Sequence, residues 1–199
     1  MRGSIILGSL ALATCLLAGC TVKESGDKEN KRVDIQTPMG SMNVKENDAA
    51  DPKATGMTEY PGAVQVAEGD HGDDKSANID MSFGGFGLKV AAANYRSDDP
   101  QSKVMDFYKK DLAKYGKVLV CDPQARRDTP PPDKDSDTLT CSDKSGVHAQ
   151  VSNSADSDDT VIKAGTQHRQ HIVAFKPSSK GTKFALVYVE IRGVDQHTM

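Results

Sequence analysis

Five histidines and 28 aspartates and glutamates are the residues of this 199-residue chain able to do acid–base or metal chemistry. His168 and His171 stand three apart, which would place them on one face of a helix. They sit at the start of an alternating segment, "RQHIVAFKP" (169–177), where side chains three apart point to opposite faces. A shared metal ion is therefore not expected there, and both are expected as exposed or interface histidines. Asp133, Asp135 and Asp137 alternate like the opening of a calcium loop. The sixth position is Thr138 where an EF-hand needs Gly, and the twelfth is Lys144 where it needs Glu. The acidic stretches 70–74 and 156–159 read as solvated loops, with at most weak calcium binding. Gly84-Gly85-Phe86-Gly87 joins two strands and leads into no helix N-terminus, so it reads as a turn and not a phosphate cradle. Gly-x-Ser-x-Gly and His-Glu-x-x-His are absent, which removes two common hydrolase signatures. No motif implies a cofactor.

The cysteines say more. Arg2 gives a short positive leader, and Ile5 to Ala18 form an apolar stretch interrupted only by Gly8, Ser9 and Thr14. It is shorter than the roughly 20 residues that span a bilayer, and it fits the h-region of a secretory signal. The stretch ends in Leu17-Ala18-Gly19-Cys20 and then turns polar. This resembles the lipobox of bacterial lipoproteins. The resemblance implies cleavage between Gly19 and Cys20, acylation of Cys20, and retention on a membrane through several acyl chains. Thr21, as a residue other than Asp after that cysteine, implies the outer membrane under the enterobacterial sorting rule.

Export would place Cys121 and Cys141 in an oxidising compartment, where a disulfide is the expected state. No Cys-x-x-Cys spacing supports a reactive thiol pair. Loss of residues 1–19 removes one cation and no acid, leaving 24 Lys+Arg against 28 Asp+Glu, a formal charge of −4. The two signs are well mixed, which argues against nucleic acid as a partner. Aromatics are 5% of the chain and tryptophan is absent, so a small core built on Val, Ile, Leu, Ala and Met is expected in one domain.

The elements that would position these residues follow from periodicity. After the signal peptide (1–19), residues 20–32 read as the lipidated cysteine and a flexible tether. "VDIQTPMGSMNVK" (33–45) reads as a small β-hairpin, 46–56 as a linker, 57–193 as the main domain, and 194–199 as a tail. Within the main domain, Asp99 is the expected N-cap and Pro100 the first residue of a helix. That helix carries an apolar stripe of Val104, Tyr108, Leu112 and Tyr115, widened by Met105 and Phe107, and stops at Gly116. In 57–66 a turn at Tyr60-Pro61-Gly62 leads into a short strand. Further strands are expected at 76–83, 88–96, 117–121, 138–142, 160–165, 169–177 and 182–193, with a solvated loop at 122–137 and either a short strand or a loop at 148–159. Residues 184–191 are apolar at nearly every position, so that strand should be central. The fold class expected is α+β: an antiparallel sheet of six or seven strands with one main helix packed on one face. Tyr60, beside Pro61, is a candidate surface aromatic at the mouth of a groove.

"EYPGA" (59–63) and "YRSDDPQSKVMDFYKKDLAKYG" (95–116) resemble a widespread set of uncharacterised exported bacterial proteins. "VDIQTPMGSMNV" and "FALVYVEIRG" look like segments of a narrower lipoprotein subgroup of that set. The resemblance implies an α+β domain and an envelope location; it brings no activity and no functional residues. The favoured expectation is a lipid-anchored, periplasm-facing domain that binds an unidentified envelope protein or ligand without chemistry of its own. The alternative is a small envelope hydrolase or metal-dependent enzyme using dispersed acids and His148, His168 and His171. A passive wall-linking lipoprotein ranks third, because the long heptad helix and terminal Lys of that plan are missing.

Overall fold

The structure, a computed structural model, describes residues 20–25, 30–38, 40–47, 52–66, 76–131, 133, 136–142, 159–176 and 178–193. Residues 1–19, expected as a signal peptide, residues 48–51 of the expected linker, the acidic stretches 70–74 and 156–158, Asp135, His148 and the 194–199 tail lie outside the described residues.

Among the described residues, ten strands form a single antiparallel sheet. They are β1 (Thr21–Ser25), β2 (Asn30–Thr37), β3 (Gly40–Asn47), β4 (Val64–Gln65), β5 (Ser76–Phe83), β6 (Phe86–Ser97), β7 (Leu119–Cys121), β8 (Thr160–Gly165), β9 (Arg169–Lys176) and β10 (Thr182–Arg192). Their order across the sheet is β1-β2-β3-β5-β6-β10-β9-β8-β7, with β4 paired to the far end of β6. The chain thus lays one meander inward from each edge, and its last strand closes the gap between them.

Helix α1 (Gln101–Leu112) carries the chain from β6 to the opposite edge, and so it must cross the sheet. It packs on β8 and β9 through Val104, Tyr108 and Leu112, all fully buried and spaced by four. Burying side chains of this kind contributes about 1.5–3 kcal/mol each. Under α1 they meet Tyr95, Ile162, Val173, Phe175, Phe184 and Leu186. The opposite face holds a second cluster of Ile172, Ala185, Val187, Val189 and Ile191, flanked by Leu88, Val90, Ala92 and Val161. β10 is therefore apolar on both faces because it lies between two cores, as its sequence predicts.

Several expectations need correction. The sheet has ten strands where six or seven were expected. Much of this excess comes from the N-terminal segment: residues 21–25 are β1 and β2 begins at Asn30, so the stretch read as a flexible tether contributes strand. Its charges alternate with Val22 on one face, too weak an apolar signal to register alone. The 33–45 hairpin is wider, and β3 pairs along β5, which makes it part of the same sheet. Residues 138–142 do not form a strand; only Thr138 bridges Thr166. Inside the loop expected at 122–137, Pro123–Asp128 form a short helix, α2, whose Asp122 side chain accepts from the Ala125 N–H at 2.7 Å. Finally, Pro100 and not Asp99 is the N-cap of α1, and no side chain caps it. The Asp99 carboxylate instead accepts from the Tyr60 hydroxyl at 2.7 Å and the Lys103 ammonium at 3.0 Å.

Candidate functional site

The polar groups with the most constrained surroundings gather where the end of α1 meets β9 and β10. His171 pairs across the sheet with Tyr188 and Ala164, so its ring points toward the helix side. The helix ends at Leu112, continues as a 3₁₀ turn over Ala113–Tyr115, and stops at Gly116 with φ 124°. That backbone conformation is open essentially only to glycine. The extra turn lays the Tyr115 ring flat on His171, with centroids 3.5 Å apart and planes 6° apart. Tyr188 approaches the imidazole from a second side at 4.9 Å.

A short segment clamps the turn in place. The Tyr115 hydroxyl donates to the Gly56 carbonyl. Gly56 has φ +72°, and a Cβ there would sit 3.1 Å from that hydroxyl and 3.4 Å from His171 Nε2, so the close approach favours glycine. Asp111 accepts from the Thr58 N–H at 3.1 Å, the Thr58 hydroxyl at 2.7 Å and the Lys114 ammonium at 2.9 Å. Burial pushes the Asp111 carboxyl up, but the Thr58 and Lys114 hydrogen bonds outweigh it and hold the group below its ordinary value. Glu190 behaves alike: burial raises it, and bonds from Arg169 and Tyr188 bring it below its usual range.

His171 itself is 6% exposed, and its Nδ1 is buried without a hydrogen-bond partner. Burial, with Lys114 and Arg169 nearby, lowers its pKa from 6.5 to about 4; Asp111 acts weakly the other way. The expectation of an exposed or interface histidine is wrong for this residue. The apolar Val173 and Phe175 at the second and fourth following positions carried the signal, since strand alternation puts all three on one face. Asp111, Gly56 and Glu190 were not legible, because no motif joins residues so distant in sequence.

His168 has separate surroundings in the turn before β9. Its Nδ1 lies 2.8 Å from Asp137 Oδ1, and both side chains are over a third exposed. Such a pair can orient an imidazole, but neither histidine has a nucleophile among its hydrogen-bond partners described here. Among the described residues, no three His, Cys, Asp or Glu side chains gather as a metal site. Tyr60 is also corrected: it is buried at 6% exposure against Phe107 and Tyr108, with its hydroxyl on Asp99. Cys121 and Cys141 are joined in a disulfide, with Cα atoms 5.3 Å apart, and Cys20 is exposed and takes part in no disulfide.

No family model, curated protein or solved structure matches this chain. The chemistry of the cluster therefore has to be read from its own geometry. A ring packed against two tyrosines, with Lys114 and Arg169 both disfavouring its cation, is a packing element that resists protonation. The unfolded chain takes up the proton first, so the stability gained by keeping His171 neutral is complete above about pH 6.5. It is lost as pH falls through the window from 6.5 to about 4. Urea titrations of the parent and His171→Phe should diverge across that window, the parent losing on the order of 2–3 kcal/mol that the variant retains. Parallel pH profiles would count against a buried neutral ring.

Proposed function

We propose that this chain is an acylated protein of the bacterial cell envelope, facing the periplasm, whose sheet domain binds a partner and does no chemistry. The observation that carries the reading is the position of Cys20: it closes the Leu17-Ala18-Gly19-Cys20 pattern and stands immediately before the first residue of β1. A lipid there moors the sheet itself to the bilayer. The Cys121–Cys141 bridge supports an oxidising compartment. The two described histidines sit in separate surroundings, which weakens the alternative of a shared hydrolytic or metal centre. Thr21 at the position after the cysteine favours the outer membrane.

Mass spectrometry of the protein from a membrane fraction should show an amino-terminal Cys20 bearing acyl groups. Cys20→Ser should move the protein into the soluble or precursor fraction. An intact leader, or an unmodified Cys20 on a membrane-bound protein, overturns the anchoring. Repeated recovery of nothing from envelope extracts over a range of salt concentrations overturns the binding role.

A further inference from the structure

The β5–β6 hairpin turns through Phe83-Gly84-Gly85-Phe86, with Phe83 paired to Phe86. Gly84 takes φ +57°, and a Cβ on either glycine would meet nothing within 4 Å, so the turn is open on its outer side, while the backbone of Gly193 lies against the Gly85 carbonyl and that of Gly40 against Phe83. Phe83 is 58% exposed and Phe86 41%. Single exposed apolar residues are ordinary on a protein surface, but two exposed phenylalanines paired across one turn form a patch.

The strand register sets this tip beside the anchor. Ser82 pairs with Ser41, Ser41 with Gln36, and Gln36 with Thr21. Cys20 thus lies one residue beyond Thr21 at the same end of the sheet where Phe83 lies one beyond Ser82. Three interstrand steps of about 4.8 Å separate them, or about 14 Å. The faces agree as well. Val22, Ile35, Met42, Met81, Leu88 and Ile191 form one apolar row across six strands on the face away from α1. Alternation continues that face from Val22 to Cys20 and from Met81 to Phe83.

We propose that this end of the sheet docks into the phospholipid bilayer, the Phe83–Phe86 turn lying among the headgroups beside the acyl chains of Cys20. The inference rests on the acylation proposed above. Because Thr21 already belongs to β1, the anchor has no slack, and one residue of chain spans at most about 3.6 Å. The sheet end must therefore stay at the headgroup level, where apolar side chains bury about 5–10 Å deep at the acyl boundary. Arg192, on the same end opposite Gly87, lies 3.6 Å from Asp80 and stands near the headgroup plane.

The chain has no tryptophan, so single substitutions report without background. Acylated full-length protein carrying Phe83→Trp, Phe86→Trp or Val64→Trp is reconstituted into phosphatidylethanolamine–phosphatidylglycerol vesicles with brominated acyl chains. Val64 is 56% exposed and sits opposite Arg96, ten residues along β6 from Phe86, about 34 Å away. Emission from positions 83 and 86 should fall about twofold relative to unbrominated vesicles, with no change at position 64. Equal responses at all three positions overturn the docking. So does blue-shifted emission at 83 and 86 that bromine does not quench, which would mean a second copy of the protein covers the turn. A mass spectrum of the same sample separates the two readings. With Cys20 acylated, unquenched tryptophan overturns the docking alone; without acylation, the anchoring fails and the docking with it.

Discussion

Phe184→Ala should cost about 3–5 kcal/mol, a large share of the about 5–15 kcal/mol that stabilises an ordinary domain. Phe184 is 1% exposed at the point where the helix meets the closing strand. Its ring stacks on Tyr95 at 5.5 Å and 15°, and it meets Tyr108 at 5.5 Å and Phe175 at 6.4 Å. Three aromatic neighbours from β6, α1 and β9 cannot all relax into the space a truncated side chain leaves, so the cavity persists and its walls lose dispersion contacts. The same truncation at Val64, on the surface, should stay within about 0.5 kcal/mol. Urea unfolding of both variants measures the contrast. A loss under 1 kcal/mol at position 184 would mean that α1 does not cover the sheet as described.

Removing the disulfide, as Cys121→Ser with Cys141→Ser, should cost about 3 kcal/mol on the loop-entropy model for its sequence separation of 20. For a chain of this length that corresponds to a melting temperature lower by about 6–12 °C. The bridge matters more here than loop length alone implies, because residues 138–142 gain only one bridging pair, Thr138 with Thr166. Gln167 adds side-chain bonds to this segment at the Ser136 and Thr138 carbonyls, and Asp137 accepts from the His168 N–H at 3.4 Å. Cys141 is thus the covalent hold on a segment with few ladder bonds, and its partner is the last residue of a three-residue edge strand. Reductant should bring the parent's melting temperature down to that of the double variant and no further. A parent insensitive to reductant would show that the bridge does not form in solution.

The contrast between the two predictions shows what periodicity can reveal. Val104, Tyr108 and Leu112 recur at helical spacing, and the helix they predict is present. Residues 76–83, 160–165, 169–176 and 182–192 alternate or run apolar, and each is a strand within a residue or two of its expected limits. Where the local signal was weak, tertiary pairing prevailed. β1 is five residues with every side chain exposed, and it holds as a strand through its register with β2 alone. Conversely, "TLTCS" has strand-like composition but adds only one bridge, since β7 occupies the β8 edge beside it. α2 went unread because its six residues offer a cap and a first-turn proline but no apolar stripe.

By itself the sequence determined the local events: a helix with its stripe, strands with their faces, and a cysteine closing the lipobox-like pattern on which the acylation proposal rests. These depend on neighbours within a few residues, where steric preference and side-chain alternation act directly. Tertiary structure decided the rest. It set β10 between β6 and β9, laid Tyr115 on a buried His171 through a 3₁₀ turn, and brought the Phe83–Phe86 tip to the same end and face of the sheet as Cys20. Such juxtapositions arise from strand order and register, which are fixed by packing two apolar faces at once and leave no mark in any single segment.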